Sequence, residues 1–155
     1  MMKKSLNFKE IDIIAEKLAK TAKSGDVVVL IGDLGTGKTT FVQRFAKELG
    51  VTENLKSPTF NYVLEYYSGK IPLYHFDVYR ISDSEEVYEI GYEDYINGNG
   101  VSIIEWGNLI EKELPKEYIK ISLDYCGEDE RYFEISYIGN KEKEKELLAY
   151  VDLHN

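Results

Sequence analysis

The eight residues Gly32-Asp33-Leu34-Gly35-Thr36-Gly37-Lys38-Thr39 fit the pattern G-x-x-x-x-G-K-[ST]. No other feature constrains the fold as much, because the pattern belongs between a strand and a helix. Both neighbours are legible. Val27-Val28-Val29-Leu30-Ile31 is β-branched and continuously apolar, as a strand covered on both faces of a parallel sheet should be. Phe41, Val42, Phe45 and Leu49 recur at helical spacing after Lys38, and Gly50 suits a helix C-terminus. Glycines let such a loop curl its N–H groups into an anion-binding nest. The helix beginning at Lys38 adds its positive dipole end. Lys38 brings a mobile charge for the outer phosphates, and Thr39 a hydroxyl for Mg²⁺.

The rest of the chain reads as alternating elements. Asn7 with Glu10 forms a capping-box start for a helix running to Ala22, and Gly25 marks its stop. The tyrosine-rich stretch 60–79, broken at Ser68-Gly69-Lys70, predicts a hairpin. Short helices follow over 83–96 around Gly91, then an apolar strand at 101–104 and a short helix ending at Pro115. A second hairpin is expected from 118–125 and 131–138, and a helix or ordering tail over 141–152. The predicted class is α/β, a P-loop nucleotidase with a mixed, mainly parallel central sheet flanked by helices. One domain is expected over 1–155, with a tail of about 141–155 free to move.

Two carboxylates fall at strand ends, where a nucleotide hydrolase needs an acid to hold Mg²⁺ or orient water. These are Asp77, after Leu73-Tyr-His-Phe, and Glu105, after Val101-Ser-Ile-Ile. His75 shares a face with Asp77 by strand alternation, and reads equally well as a structural partner. Ser57-Pro58-Thr59 reads either as an ordinary turn with a capping serine or as a loop folding over the γ-phosphate, where a hydroxyl reports on it. Trp106 is either core or a wall of the site. The nearest approach to a guanine-reading N/T-K-x-D motif is Asn140-Lys141-Glu142-Lys143, which lacks the aspartate and so favours adenine. One cysteine, Cys126, and two histidines, His75 and His154, make a zinc site unpromising.

The charge is uneven. The net value is −9, yet residues 1–50 carry nine basic and six acidic groups, and residues 51–155 carry ten and twenty-two. Most of the surface should therefore repel a phosphate backbone, and the chain alone is not expected to grip RNA or DNA. Six acids between Asp83 and Asp94 form either a solvated face or a protein-docking surface. The single cysteine, the lack of a signal-like apolar centre near the start and the shortness of every apolar run point to a cytoplasmic protein without a membrane span.

Taken in order, Gly32-Asp-Leu-Gly-Thr-Gly-Lys-Thr-Thr40, Ser57-Pro-Thr-Phe60, His75-Phe-Asp-Val-Tyr-Arg80 and Ile104-Glu-Trp106 closely resemble the bacterial TsaE (YjeE) family. The resemblance runs from the first helix to about residue 125. It implies a small ATPase that supports repeated formation of threonylcarbamoyladenosine at tRNA position 37 by acting on the TsaB–TsaD complex, with ATP and Mg²⁺ as its ligands. By motif position, Lys38 would bind phosphate, Thr39 and Glu105 would hold Mg²⁺, and Asp77 would serve hydrolysis as Mg²⁺ shell or water-orienting base. Gly35, Thr36, Gly37 and Thr40 would cradle the nucleotide. Ser57 and Thr59 would form a switch-like loop, and Trp106 would line the site. The family often carries a threonine in the first helix before an apolar-Gly pair. Here the stretch reads Ile11-Asp-Ile-Ile-Ala15, so that contact does not transfer.

Two other functions share the loop. A small-molecule kinase would want an arginine-bearing lid, and the chain has only Arg44, Arg80 and Arg131 with no lid-like insertion. A non-catalytic docking module would bind ATP without splitting it.

Overall fold

A computed structural model describes residues 1–33 and 35–153. Leu34 of the loop motif, and His154 and Asn155 of the tail, lie outside the described residues. The elements run β1 (Met2–Asn7), α1 (Phe8–Thr21), β2 (Val27–Ile31), α2 (Lys38–Leu49), β3 (Val63–Tyr66), β4 (Leu73–Asp77), a 3₁₀ segment (Ser84–Ile90) and α3 (Tyr92–Ile96). They continue with β5 (Val101–Glu105), a second 3₁₀ segment (Gly107–Glu113), β6 (Tyr118–Tyr125), β7 (Glu130–Ile138) and α4 (Lys141–Val151).

All seven strands form one sheet in the order β1-β7-β6-β2-β5-β4-β3. The central four, β6, β2, β5 and β4, are mutually parallel. The 60–79 hairpin adds β3 antiparallel at one edge, and β7 and β1 add antiparallel strands at the other. The sheet is thus mixed with a parallel centre, in an α/β fold. β2 is the middle strand and is apolar throughout because both its faces are covered. Val28 and Leu30 point into the layer under α1 and α2. Val27 and Val29 point the other way, among Tyr74, Phe76, Ile104, Val87 and Ile110. Phe41, Phe45 and Leu49 of α2 are fully buried against the first layer, each contributing about 1.5–3 kcal/mol of transfer free energy.

Local chemistry sets the helix ends. Asn7 accepts from the Glu10 N–H at 2.8 Å and Glu10 accepts from the Asn7 N–H at 3.0 Å, the expected capping box. α1 stops at Thr21, before the expected Ala22, which is the extended C-cap; Gly25 sits in the turn beyond, left-handed at φ 91°. α2 ends on Gly50, left-handed at φ 99°. One strand was not expected. β1 is a largely exposed run, one-third charged, that buries only Leu6, and it exists because β7 presents an open edge to pair with. The 141–152 segment folds as α4, packed on β7 and α1 with Val151 fully buried. No helix among the described residues is long and apolar enough to cross a membrane.

Candidate nucleotide-binding site

The parallel register brings the two strand-end acids together. Asp77 pairs with Glu105 across β4 and β5, and paired residues of parallel strands face the same way. That face is the one beneath α2, whose first residue is Lys38. A cleft of about 330 Å³ opens there. It is lined by Gly35, Gly37, Lys38, Thr39 and Thr40 from the loop and α2, Ser57 and Thr59 from the loop before β3, and Asp77, Glu105 and Trp106 from the strand ends. His75, Val42, Gln43, Leu55 and Lys56 complete the wall.

The N-terminus of α2 faces this cleft without a side-chain cap. Gly37 takes the N-cap position in the left-handed region at φ 108°, so the first-turn N–H groups are left for an outside acceptor. Thr36 does not line the cleft. Its hydroxyl donates to the Asp33 carbonyl at 2.8 Å, tying the loop to itself beneath the surface. The Thr36 carbonyl in turn accepts from Arg131 Nε at 3.2 Å. That guanidinium also donates to the carbonyls of Gly127 and Glu130 and lies 4.8 Å from the rings of Phe8 and Tyr125. The tip of the β6–β7 hairpin thus braces the loop from behind.

Lys38 Nζ is buried and has no hydrogen-bond partner among the described residues. It sits 4.0 Å from the centre of the Trp106 ring, a cation–π contact. Burial pulls this ammonium below the ordinary lysine range, against the opposing attraction of Glu105, Asp77 and Asp33. Trp106 holds a left-handed backbone at φ 64°, uncommon for a bulky residue, and its N–H donates to Leu30 at 2.9 Å. The Tyr79 ring packs on it at 4.8 Å.

Neither strand-end acid is bonded to Lys38. Asp77 accepts from the Tyr79 N–H at 3.0 Å and from the Thr59 hydroxyl at 3.3 Å. Thr59 shares a 2.6 Å hydrogen bond with Ser57, so the 57–59 loop reaches the acid directly. Glu105 Oε2 lies 2.6 Å from His75 Nε2, and both side chains are buried. The role of His75 was open in the sequence; the structure pairs it with Glu105, not Asp77. The bracing by Arg131 carried no sequence signal.

The family model described as "Threonylcarbamoyl adenosine biosynthesis protein TsaE" matches residues 6–133. The chain belongs to the TsaE family. Among TsaE relatives, the tRNA threonylcarbamoyladenosine biosynthesis protein TsaE of Bacillus subtilis is 45% identical over 138 residues, which cover 89% of this chain and 86% of that protein. The Rickettsia felis protein of the same description is 39% identical over 126 residues, covering 81% and 73%. The crystal structure of YdiB from Bacillus subtilis superposes with a TM-score of 0.77 at 37% identity, covering 99% of this TsaE-family chain and 98% of that one.

Proposed function

We propose that this chain serves tRNA threonylcarbamoyladenosine biosynthesis in the cytoplasm by binding ATP with Mg²⁺ in the cleft and hydrolysing it to act on the TsaB–TsaD complex. The buried, unbonded ammonium of Lys38 at the open N-terminus of α2 carries the reading. A cation without a hydrogen-bond acceptor is costly to bury, and a triphosphate would supply the acceptors. The family and its relatives' names support the pathway.

The donor set fits both ligands. Gly35, Gly37, Lys38, Thr39 and Thr40 line the phosphate end of the cleft. Thr39 and Glu105 offer a hydroxyl and a carboxylate, the hard oxygens a Mg²⁺ ion accepts. When bound, the ion would offset charge on the phosphate oxygens. Hydrolysis requires water to add to the γ-phosphorus as the bond to the β–γ bridging oxygen breaks, giving ADP and inorganic phosphate. Asp77 would orient that water or join the Mg²⁺ shell, and its link to Thr59 and Ser57 would couple the 57–59 loop to the presence of the γ-phosphate. Lys38 would neutralise charge on the outer phosphates.

The test is phosphate release with ATP and with GTP, each with and without TsaB–TsaD. Slow release alone, a large increase on adding the complex and preference for ATP are expected. A rate unchanged by the complex would overturn the proposed action on it. Labelled phosphate appearing on a metabolite would replace hydrolysis by a kinase reaction.

A further inference from the structure

The cleft buries one cation, Lys38, with two acids, Asp77 and Glu105, yet no ion pair forms between Lys38 and a carboxylate among the described residues. Opposite charges buried along one cleft attract one another. Something must hold them apart. For Asp77 it is two donors, the Tyr79 N–H and the Thr59 hydroxyl. For Glu105 it is a single side chain. A carboxylate only accepts, so the 2.6 Å contact requires His75 to present a proton at Nε2. Glu105 is also the strongest of the three carboxylate influences on Lys38.

We propose that His75 is a positioning residue: by holding the Glu105 carboxylate, it prevents a buried Lys38–Glu105 ion pair and keeps the lysine free for phosphate. The inference rests on the proposed role of Lys38 as phosphate ligand. Its geometry is economical. His75 lies one strand away from Glu105, two residues below Asp77 on the same face, so its ring reaches the acid from the side of the sheet interior. Its other nitrogen, Nδ1, is buried and has no hydrogen-bond partner among the described residues, where the ring's one hydrogen bond goes to Glu105. Without the donor, the acid is left buried and unsatisfied, and the unbonded ammonium above it is the natural replacement partner. A lysine paired in this way competes with the nucleotide. If the pair were occupied nine-tenths of the time, only about a tenth of the molecules would be competent and apparent affinity would fall about tenfold.

Calorimetric titration of the full chain with ATP in excess EDTA measures this without relying on turnover or on bound metal. H75L should bind about tenfold more weakly than wild type. H75Q should bind as wild type, since the glutamine amide nitrogen can occupy the place of Nε2. E105Q should improve affinity far more in the H75L background than in wild type, because only there does it break an ion pair. Equal effects of E105Q in both backgrounds, or wild-type affinity for H75L, would overturn the proposal. Circular dichroism checks folding. If H75L does not fold, H75N takes its place; its shorter amide reaches only the Nδ1 position, so it should weaken binding where H75Q does not, and equal affinity of the two would overturn the proposal. K38M separates the two readings: if it binds ATP as wild type, the phosphate role of Lys38 fails, whatever His75 does.

Discussion

At the scale of single residues, the cleft trades stability for readiness. An unbonded buried ammonium costs about 1–3 kcal/mol. Lys38→Met keeps the volume and removes the charge, so the apo protein should gain about 1 kcal/mol in urea unfolding while losing ATP binding. The pH dependence follows from the lowered value of Lys38. Below it, both native and unfolded states carry the proton and wild type bears the full cost. Between it and 10.5, the ordinary lysine value that the unfolded chain keeps, the unfolded state binds more protons. Wild-type stability therefore rises with pH relative to K38M. The gap between the two proteins should close across that window, and a gap independent of pH would contradict the assignment. Much of this cleft was readable in the sequence. The loop spacing and the rule that acids of nucleotide sites sit at strand ends brought Lys38, Thr39, Asp77 and Glu105 into one expected site, and the structure gathers them in one cleft. The His75–Glu105 contact was not readable, because it depends on the register between β4 and β5, thirty residues apart. The Arg131 brace spans ninety-five residues and is equally invisible to local patterns.

At the scale of elements, periodicity succeeded where one face is strongly apolar. α1 and α2 each carry such a stripe, and both lie where expected to within a residue. β1 escaped notice because Met-Lys-Lys-Ser-Leu-Asn lacks a clean alternation, and its strand state comes from pairing with β7. α4 shows the opposite case: the sequence left open a helix whose end docks on the body or a tail ordering only against something else, and the structure shows the docked helix. It lies beyond the residues matched by the family model. It is held by fully buried Val151, by half-buried Leu147 and Leu148, and by Lys17, whose Nζ donates to the Tyr150 carbonyl while its own carbonyl accepts from the Tyr150 hydroxyl. None of its residues lines the cleft. Ending the chain after Asn140 should therefore cost about 2–4 kcal/mol of unfolding free energy and leave ATP affinity unchanged. A loss of affinity in a folded truncation would show that α4 reaches the site by a route the packing does not reveal.

At the scale of the whole molecule, a parallel centre with antiparallel margins places one cleft at the C-terminal ends of β2, β4 and β5, the usual location of ligands in such sheets. The net charge of −9 surrounds it. Five of the six acids between Asp83 and Asp94 are exposed and Glu86 is half-buried, so the acidic stretch is a surface feature. The isolated chain should accordingly give no tRNA shift in a gel assay even at low salt, and a shift that fades on adding salt would contradict that expectation. The fold keeps one more asset in this same corner. Trp106 is the sole tryptophan of the chain, and its indole lies against the buried Lys38 ammonium. Indole fluorescence from this molecule thus originates at a single spot inside the cleft, and nucleotide entering the proposed site should change it in real time without an attached dye.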